Sequence, residues 1–373
     1  MLLADLDFDL PPELIAQTPA NPRESARLLH LDRATGEVQH YTVRDFPAML
    51  RPNDLLVFND TRVLRARLLG HKPSGGRVEA LLLEELRLNV WRSLLKPSAR
   101  LQVGSSIFLG EGESQVEARL LERDGAQWTL QFQSERDARE LLPQIGHVPL
   151  PPYIQAEGRE EDYQTVFARQ DPRIEGRSFD AAAAPTAGLH FTPALLDEIE
   201  ERGIERAFVT LAVGTGTFAP VKVENLDDHT MHAERFHVSD EVAAQINAHK
   251  QSGGRVVAVG TTTVRTLESA IDEAGQVRGG WSETRLFLRP GARFHVVDAL
   301  LTNFHLPRST LLALVAAFIE DTPDLTGYLK EKKHLNGENG SIPRGLTLVR
   351  AAYREAISHR YRFFSWGDAM FIE

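Results

Sequence analysis

Thr192-Pro-Ala-Leu-Leu-Asp-Glu-Ile-Glu-Glu-Arg-Gly, followed at once by Arg206-Ala-Phe-Val-Thr-Leu-Ala-Val, decides the fold. The threonine has an oxygen free to cap a helix, and the proline after it tolerates the missing first-turn N–H bond. Acids follow, and the glycine ends the run. The next stretch is β-branched and apolar, as a buried strand requires. The alternation continues downstream: a helix over about Asp240 to Ser252, a strand Arg255-Val-Val-Ala-Val, and a helix from about Thr262 to Glu273. Strands and helices in turn, joined by short connections, predict an α/β core around a largely parallel sheet.

Upstream the texture is different. From about Asp54 to Phe132 the chain reads as short apolar or alternating runs, among them Leu55-Leu-Val-Phe, Arg77-Val-Glu-Ala-Leu-Leu-Leu, Val90-Trp-Arg-Ser-Leu-Leu and Gln127-Trp-Thr-Leu-Gln-Phe. Gly- and Ser-rich breaks separate them, which predicts a small all-β sheet or barrel. Gly146-His-Val-Pro-Leu-Pro-Pro-Tyr reads as an extended linker, because proline removes backbone donors. At 373 residues the chain exceeds what one core usually serves. The expectation is an α/β domain over residues 1–62 and 150–373, with an inserted small all-β barrel domain over 63–149. Arg169 to Ser178, with its internal Ile-Glu-Gly-Arg, and Lys330 to Gly345 read as exposed loops.

The chain contains no cysteine, which excludes disulfides, thiolate metal ligands and a cysteine nucleophile. Its longest apolar run, Leu311 to Ile319, is too short to span a membrane. The acidic N-terminus lacks the basic region of a signal peptide. A cytoplasmic enzyme is expected, and a monomer, since no long apolar seam is visible. The net charge of -10 means that any RNA contact must rest on local basic clusters. Two stretches qualify: Arg62, Arg65, Arg67, Lys72 and Arg77, and Arg354, His359, Arg360 and Arg362.

Several short stretches have the wrong composition for packing alone. Asn59-Asp-Thr-Arg closes an apolar strand with groups suited to a polar ligand, or to an Asx turn. In Ala184-Pro-Thr-Ala-Gly-Leu-His-Phe-Thr small residues permit close backbone approach, and His190 is either an acid–base group or a satisfied core residue. Val213-Gly-Thr-Gly-Thr-Phe-Ala-Pro-Val has the glycines of a nucleotide turn, but Pro220 prevents the helix that a dinucleotide fingerprint needs. Val259-Gly-Thr-Thr-Thr-Val-Arg turns from strand into helix, and free N–H groups there attract an anion. His229, Met231, His232 and Glu234 offer only a weak metal pattern, His-x-x-His without helical context or any cysteine, so acid–base work by His232 or Glu234 is the better reading and no metal is expected. Asn303, His305 and Ser309 form a dense polar set before a helix. Tyr361-Arg-Phe-Phe-Ser-Trp-Gly-Asp-Ala-Met offers aromatic faces beside arginine, suited to stacking an unpaired base or to hydrophobic packing.

In this order the motifs resemble the S-adenosylmethionine:tRNA ribosyltransferase-isomerase family of queuosine biosynthesis, nearly end to end. Where that family tends to carry a histidine before Val213-Gly214, this chain has Ala212. The resemblance implies an α/β domain with an inserted β-barrel. It implies transfer and isomerisation of the ribosyl group of S-adenosylmethionine onto preQ1 at the tRNA wobble position, giving epoxyqueuosine-tRNA, adenine and methionine. S-adenosylmethionine is then a consumed co-substrate, and no catalytic cofactor is needed. The implied proton-transfer candidates are His190, His232, Glu234 and Asp368. Gly214, Gly216 and Thr217 would lie beside the adenosine, and Gly260, Thr261, Thr262 and Arg265 would hold the methionine end. Asn59, Arg62, Asn303, His305, Arg362, Phe363 and Phe364 would meet the preQ1 base in the anticodon loop. The alternatives are an S-adenosylmethionine-dependent tRNA methyltransferase, which would want a helix after the glycine turn, and a non-catalytic tRNA-binding protein.

Overall fold

A computed structural model describes residues 1–99, 101–155, 160–171, 173–214, 221–322 and 342–373. The first strands of the central sheet are β1 (Arg27–Leu31), β2 (Val38–Thr42) and, after a short helix α1 (Phe46–Met49), β3 (Asp54–Asn59). The chain then builds β4 (Arg67–His71), β5 (Arg77–Arg87), β6 (Val90–Lys96), β7 (Ser106–Leu109), β8 (Val116–Asp124), β9 (Gln127–Phe132), α2 (Ala138–Ile145) and β10 (Gly146–His147). A two-stranded hairpin, β11 (Arg173–Ile174) with β12 (Arg177–Ser178), precedes the return to the central sheet. There the elements are α3 (Pro193–Glu201), β13 (Glu205–Leu211), β14 (Glu234–Val238), α4 (Asp240–Gln251), β15 (Arg255–Val259), α5 (Thr261–Ser269), β16 (Gly280–Thr284), β17 (Ala299–Asn303), α6 (Thr310–Glu320), α7 (Arg344–Ser358) and β18 (Ala369–Ile372).

The deciding stretch folds as read. Thr192 Oγ1 accepts from the N–H of Leu195 at 3.3 Å and caps α3. Gly203, at φ 75°, turns the chain out of the helix by the left-handed route that a side chain resists. β13 then enters beside β3, parallel to it. The central sheet has the order β16-β14-β13-β3-β15-β17-β18-β1-β2. Its middle four strands, β13, β3, β15 and β17, are all parallel. β18 runs antiparallel to β17, and β14 antiparallel to β13, so the sheet is mixed outside its centre. Leu55 and Val57 of β3 face a core shared with α4, α5, α6 and α7, while Leu56 and Phe58 face a second core against α1 and α3. Burial on both faces is why Leu55-Leu-Val-Phe is continuously apolar; it belongs to this sheet and not to the β-rich region after it.

That β-rich region is a closed antiparallel barrel. Its strands run β4-β5-β6-β9-β8-β7, and β4 pairs with β7 to close the ring. Closure needs backbones to meet at Gly70, where an added Cβ would stand 2.0 Å from the Phe108 carbonyl oxygen. Alternate residues point inward, among them Ala80, Leu82, Trp91, Ile107, Leu120, Trp128 and Leu130. Gly146 and His147, read as linker, add a short strand against β4. Among the described residues no helix is long and apolar enough to cross a membrane. Most of Lys330 to Gly345 lies outside the described residues.

Candidate functional site

Four of the sequence motifs arrive at one edge of the molecule because their strands are parallel neighbours. Asn59, Gly214, Gly260 and Asn303 stand at or just beyond the carboxyl ends of β3, β13, β15 and β17. β18 is antiparallel to β17, so the loop of residues 361–368 before it reaches the same edge. The chain leaves β3 toward β13 on one side and later crosses back to β15 on the other. A crevice outside the strand ends at such a reversal is where open α/β sheets take ligands. Here it is a cleft lined by Tyr153, Ala184, Thr186, Val213, Gly260, Thr261, Thr262, Asn303, His305, Ser309, Phe364 and Ser365, among others.

The polar wall is tightly wired. Thr186 Oγ1 donates to Asn303 Oδ1 at 2.9 Å, and Asn303 Nδ2 donates to His190 Nε2 at 3.1 Å and to the Phe364 carbonyl at 3.3 Å. His190 is thus buried behind Asn303, not on the cleft surface. Burial pushes its imidazole down to about 4, with Arg362 and Arg23 adding to the effect and Asp368 opposing it, so the ring is neutral at physiological pH. His305 does line the cleft. It is likewise lowered by burial to about 4, and its ring meets Thr302 Oγ1 at 3.0 Å.

On the opposite side α5 begins at Gly260, whose φ of 93° makes the turn from strand to helix. No side chain caps this helix, so first-turn N–H groups and the positive end of its dipole open onto the cleft. The hydroxyl of Thr262 is buried with no protein partner among the described residues. Arg265, one turn along, is buried and pairs with Glu234, while its Nε donates to the Leu286 carbonyl at 3.2 Å. The other oxygen of Glu234 accepts from the N–H of Gly214 at 3.1 Å, which ties β14 and α5 to the glycine turn.

The third wall is aromatic. Phe364, at φ 71°, turns its ring toward Tyr153, 4.8 Å between centroids. The Tyr153 hydroxyl meets Ser365 Oγ at 2.6 Å, and burial pushes that phenol up to about 12. Phe363, one residue earlier, packs in the core against Phe304, Phe8 and Tyr353, so it cannot receive a base from outside. Asp368 commits both oxygens to the loop's own structure: Arg27 N–H at 3.0 Å on one, and Arg27 Nη2 at 3.1 Å and the Arg362 N–H at 2.8 Å on the other. The guanidinium of Arg362 donates to the Thr18 carbonyl.

The remaining expectations fall elsewhere. Asn59 is buried as a clip between strands, accepting from the N–H groups of Thr61 and Leu211 at 3.1 and 3.0 Å. Arg62 and His232 are exposed, and neither lines the cleft. Gly216 and Thr217 lie outside the described residues. Of the basic stretches, Arg67 is paired with Glu79 and Arg362 lies beside Asp368. Sequence reasoning missed Tyr153, Thr186 and Ser365 as cleft residues. Tyr153 sits in a proline-rich stretch with no catalytic signature, but the buried Ser365 hydroxyl between two tyrosines completes the wall.

Comparison with known proteins agrees with this arrangement. The profile of a family described as Queuosine biosynthesis protein matches residues 3–330 and 343–372. The S-adenosylmethionine:tRNA ribosyltransferase-isomerase of Citrifermentans bemidjiense is 48% identical, and that of Symbiobacterium thermophilum also 48%, each over 100% of both chains. The crystal structure of S-adenosylmethionine tRNA ribosyltransferase from Thermotoga maritima is 34% identical, covers 99% of this chain and 100% of its own, and superposes with a TM-score of 0.53.

Proposed function

The chain belongs to the queuosine biosynthesis protein family, and on that premise we propose that it is an S-adenosylmethionine:tRNA ribosyltransferase-isomerase acting on preQ1 at the tRNA wobble position. Its products are then epoxyqueuosine-tRNA, adenine and methionine. It works in the cytoplasm as a monomer and without a catalytic cofactor, S-adenosylmethionine being consumed. Residues 63–149 form an inserted barrel domain within 1–62 and 150–373. The observation that carries the reading is the convergence of the motif strands on one cleft with an uncapped helix start on one side and an aromatic wall on another.

Roles follow from position. The start of α5, with Gly260, Thr261 and Thr262, takes the methionine carboxylate, because N–H groups and the dipole favour an anion there. Arg265 supports that turn through Glu234, and Gly214 lies beside the adenosine. Phe364 and Tyr153 receive the flat base by stacking. Asn303 and His305 present polar groups to the ribose between them. The sulfonium acidifies the protons on C5′, so a base begins the reaction by removing one. Adenine leaves, the preQ1 amine takes its place, and ring closure expels methionine.

Of the four proton-transfer candidates, Glu234 is assigned as the base because it is held against the glycine turn, and to take a proton it must loosen the Arg265 guanidinium or the Gly214 N–H that now meet its two oxygens. His190 is a positioning residue: its Nε2 accepts from Asn303 and so fixes which amide face meets the substrate. Asp368 clamps the 361–368 loop, and His232 remains a surface group. The test is mass spectrometry of preQ1-containing tRNA after incubation with the protein and S-adenosylmethionine. Epoxyqueuosine with released adenine and methionine is expected. A gain of one methyl mass would make the protein a methyltransferase, and binding of tRNA without any change would leave a non-catalytic binder.

A further inference from the structure

Outside the cleft, β2 and the last turn of α7 bring together two histidines and a glutamate. We propose that His40, Glu355 and His359 form a site for a divalent transition-metal ion of the zinc type. One ligand atom from each lies within 4.8 Å of the others. Glu355 Oε1 is 3.5 Å from His40 Nε2 and 3.2 Å from His359 Nδ1. Charge-assisted hydrogen bonds close to roughly 2.7–2.9 Å, so both spacings are long for a direct ion pair. They match the edge of a coordination tetrahedron: zinc bonds of about 2.0–2.1 Å place neighbouring ligand atoms about 3.4 Å apart.

The imidazole of His40 is already oriented for this. Its Nδ1 lies 2.8 Å from the Tyr361 hydroxyl, which also has the Leu28 carbonyl at 3.5 Å as a neighbour able to take its proton. In the ligating form Nδ1–H donates to that hydroxyl, and Nε2, the nitrogen facing Glu355, gives its lone pair to the ion. A second partner that fixes the tautomer is the usual support of a ligating histidine. His359 Nδ1 lies 3.1 Å from both the Glu355 carbonyl and the Ser358 hydroxyl, so taking up the ion exchanges the Nδ1 proton for the metal and leaves the ring proton on Nε2. The two rings stand 4.4 Å apart by centroid. Glutamate and histidine one turn apart share a helix face, and the strand supplies the third ligand. The three side chains keep between 36% and 53% of their surface exposed, which leaves the fourth position to water. Two imidazoles and one carboxylate select zinc, copper or nickel over magnesium.

Such an ion would pin the end of α7 to β2, directly before Tyr361, where the loop toward the cleft begins. The test is calorimetric titration of the full-length, chelator-stripped protein with Zn²⁺ alone, and with Mg²⁺ as the contrast. One Zn²⁺ per chain is expected, with a raised thermal midpoint and no Mg²⁺ heat. Tyr361→Phe should weaken binding roughly 10-fold by freeing the His40 ring. His40→Ala combined with His359→Ala should abolish it while circular dichroism stays unchanged, since both side chains are substantially exposed. Absence of Zn²⁺ binding, equal Mg²⁺ binding, or full stoichiometry in the double variant would each overturn the site.

Discussion

Trp128 in the barrel and Asn303 at the end of β17 are both nearly out of water, yet what surrounds them differs in kind. The barrel core around Trp128 is apolar: leucines, alanines, Val78, Ile107, Phe132 and Trp91 fill it from alternate strand positions. Around Asn303 the buried side chains are His190, Thr302, His305, Ser365 and Asp368, and at the start of α5 stands Thr261, with the buried Arg265–Glu234 pair one turn along. Burying polar groups costs free energy unless each is hydrogen-bonded, so apolar side chains would have been cheaper at the sheet edge. Most of these groups are bonded, and each bond fixes an orientation. One region is built to stay closed; the other spends stability to hold polar atoms in set positions.

The contrast predicts opposite mutational signatures. Glu234→Gln keeps the side chain's shape and its bond from Gly214 but removes both the base and the charge that pairs with buried Arg265. Turnover should fall about 10²- to 10⁴-fold. S-adenosylmethionine binding, followed by calorimetry, should fall much less. A variant with near-normal turnover would move the base elsewhere. Trp128→Ala in the barrel should do the reverse. It removes on the order of 3–5 kcal/mol of stability in urea titration, while activity per folded molecule at low temperature changes little. If turnover collapsed with the fold intact, the barrel would have to be counted as part of the cleft.

Acid should separate the two regions as well. His190 and His305 are held at about 4 by burial, below the 6.5 of an exposed imidazole. Between these values the unfolded chain binds protons that the folded chain refuses. Stability is therefore fully present above about pH 6.5 and is lost as pH falls toward 4, by roughly 2–3 kcal/mol per histidine. The apolar barrel core contains no histidine among the described residues. Hydrogen exchange at about pH 5 should thus loosen amides around Asn303 before those of β9. Equal loosening of both would mean that the barrel and the sheet unfold as one unit.

The same contrast explains what the sequence made legible. Caps and periodicity exposed α3, β13, α4, β15 and α5, because those signals are local. The barrel strands showed themselves by alternation, since one face of each is wet. β3 carries no such alternation and reads in texture like the barrel strands after it, although the expected domain boundary leaves it in the α/β domain and its two buried faces place it in the central sheet. β2 is exposed and polar at the sheet's edge, with no apolar signature, and only the fold brings its His40 to α7. Within the site, motif residues at the strand ends were legible as a group but not by role. Phe363 and Phe364 are the same residue type, and a single positive φ sends one ring to the core and the other to the cleft. Asp368 reads as a base in the sequence, but Arg27 from distant β1 and Arg362 from its own loop occupy it.

The smallest expected effect sharpens the comparison at equal energetic cost. Thr192 caps α3 away from the cleft, and Ser309 caps α6 at the cleft wall, accepting from the N–H of Leu312 at 3.2 Å. Each exchange to alanine removes one cap, worth about 1 kcal/mol, and the shifts in urea midpoint should be alike. Their kinetics should not be. Thr192→Ala should leave KM for S-adenosylmethionine unchanged. In Ser309→Ala the hydroxyl that also donates to the Leu306 carbonyl at 2.7 Å is gone, and Leu306 follows His305 in the wall. KM should then rise by a few fold at nearly constant stability, because a displacement of a few tenths of an ångström matters where polar atoms must meet a ligand. Identical KM values in the two variants would mean that the 305–309 turn does not touch the substrate.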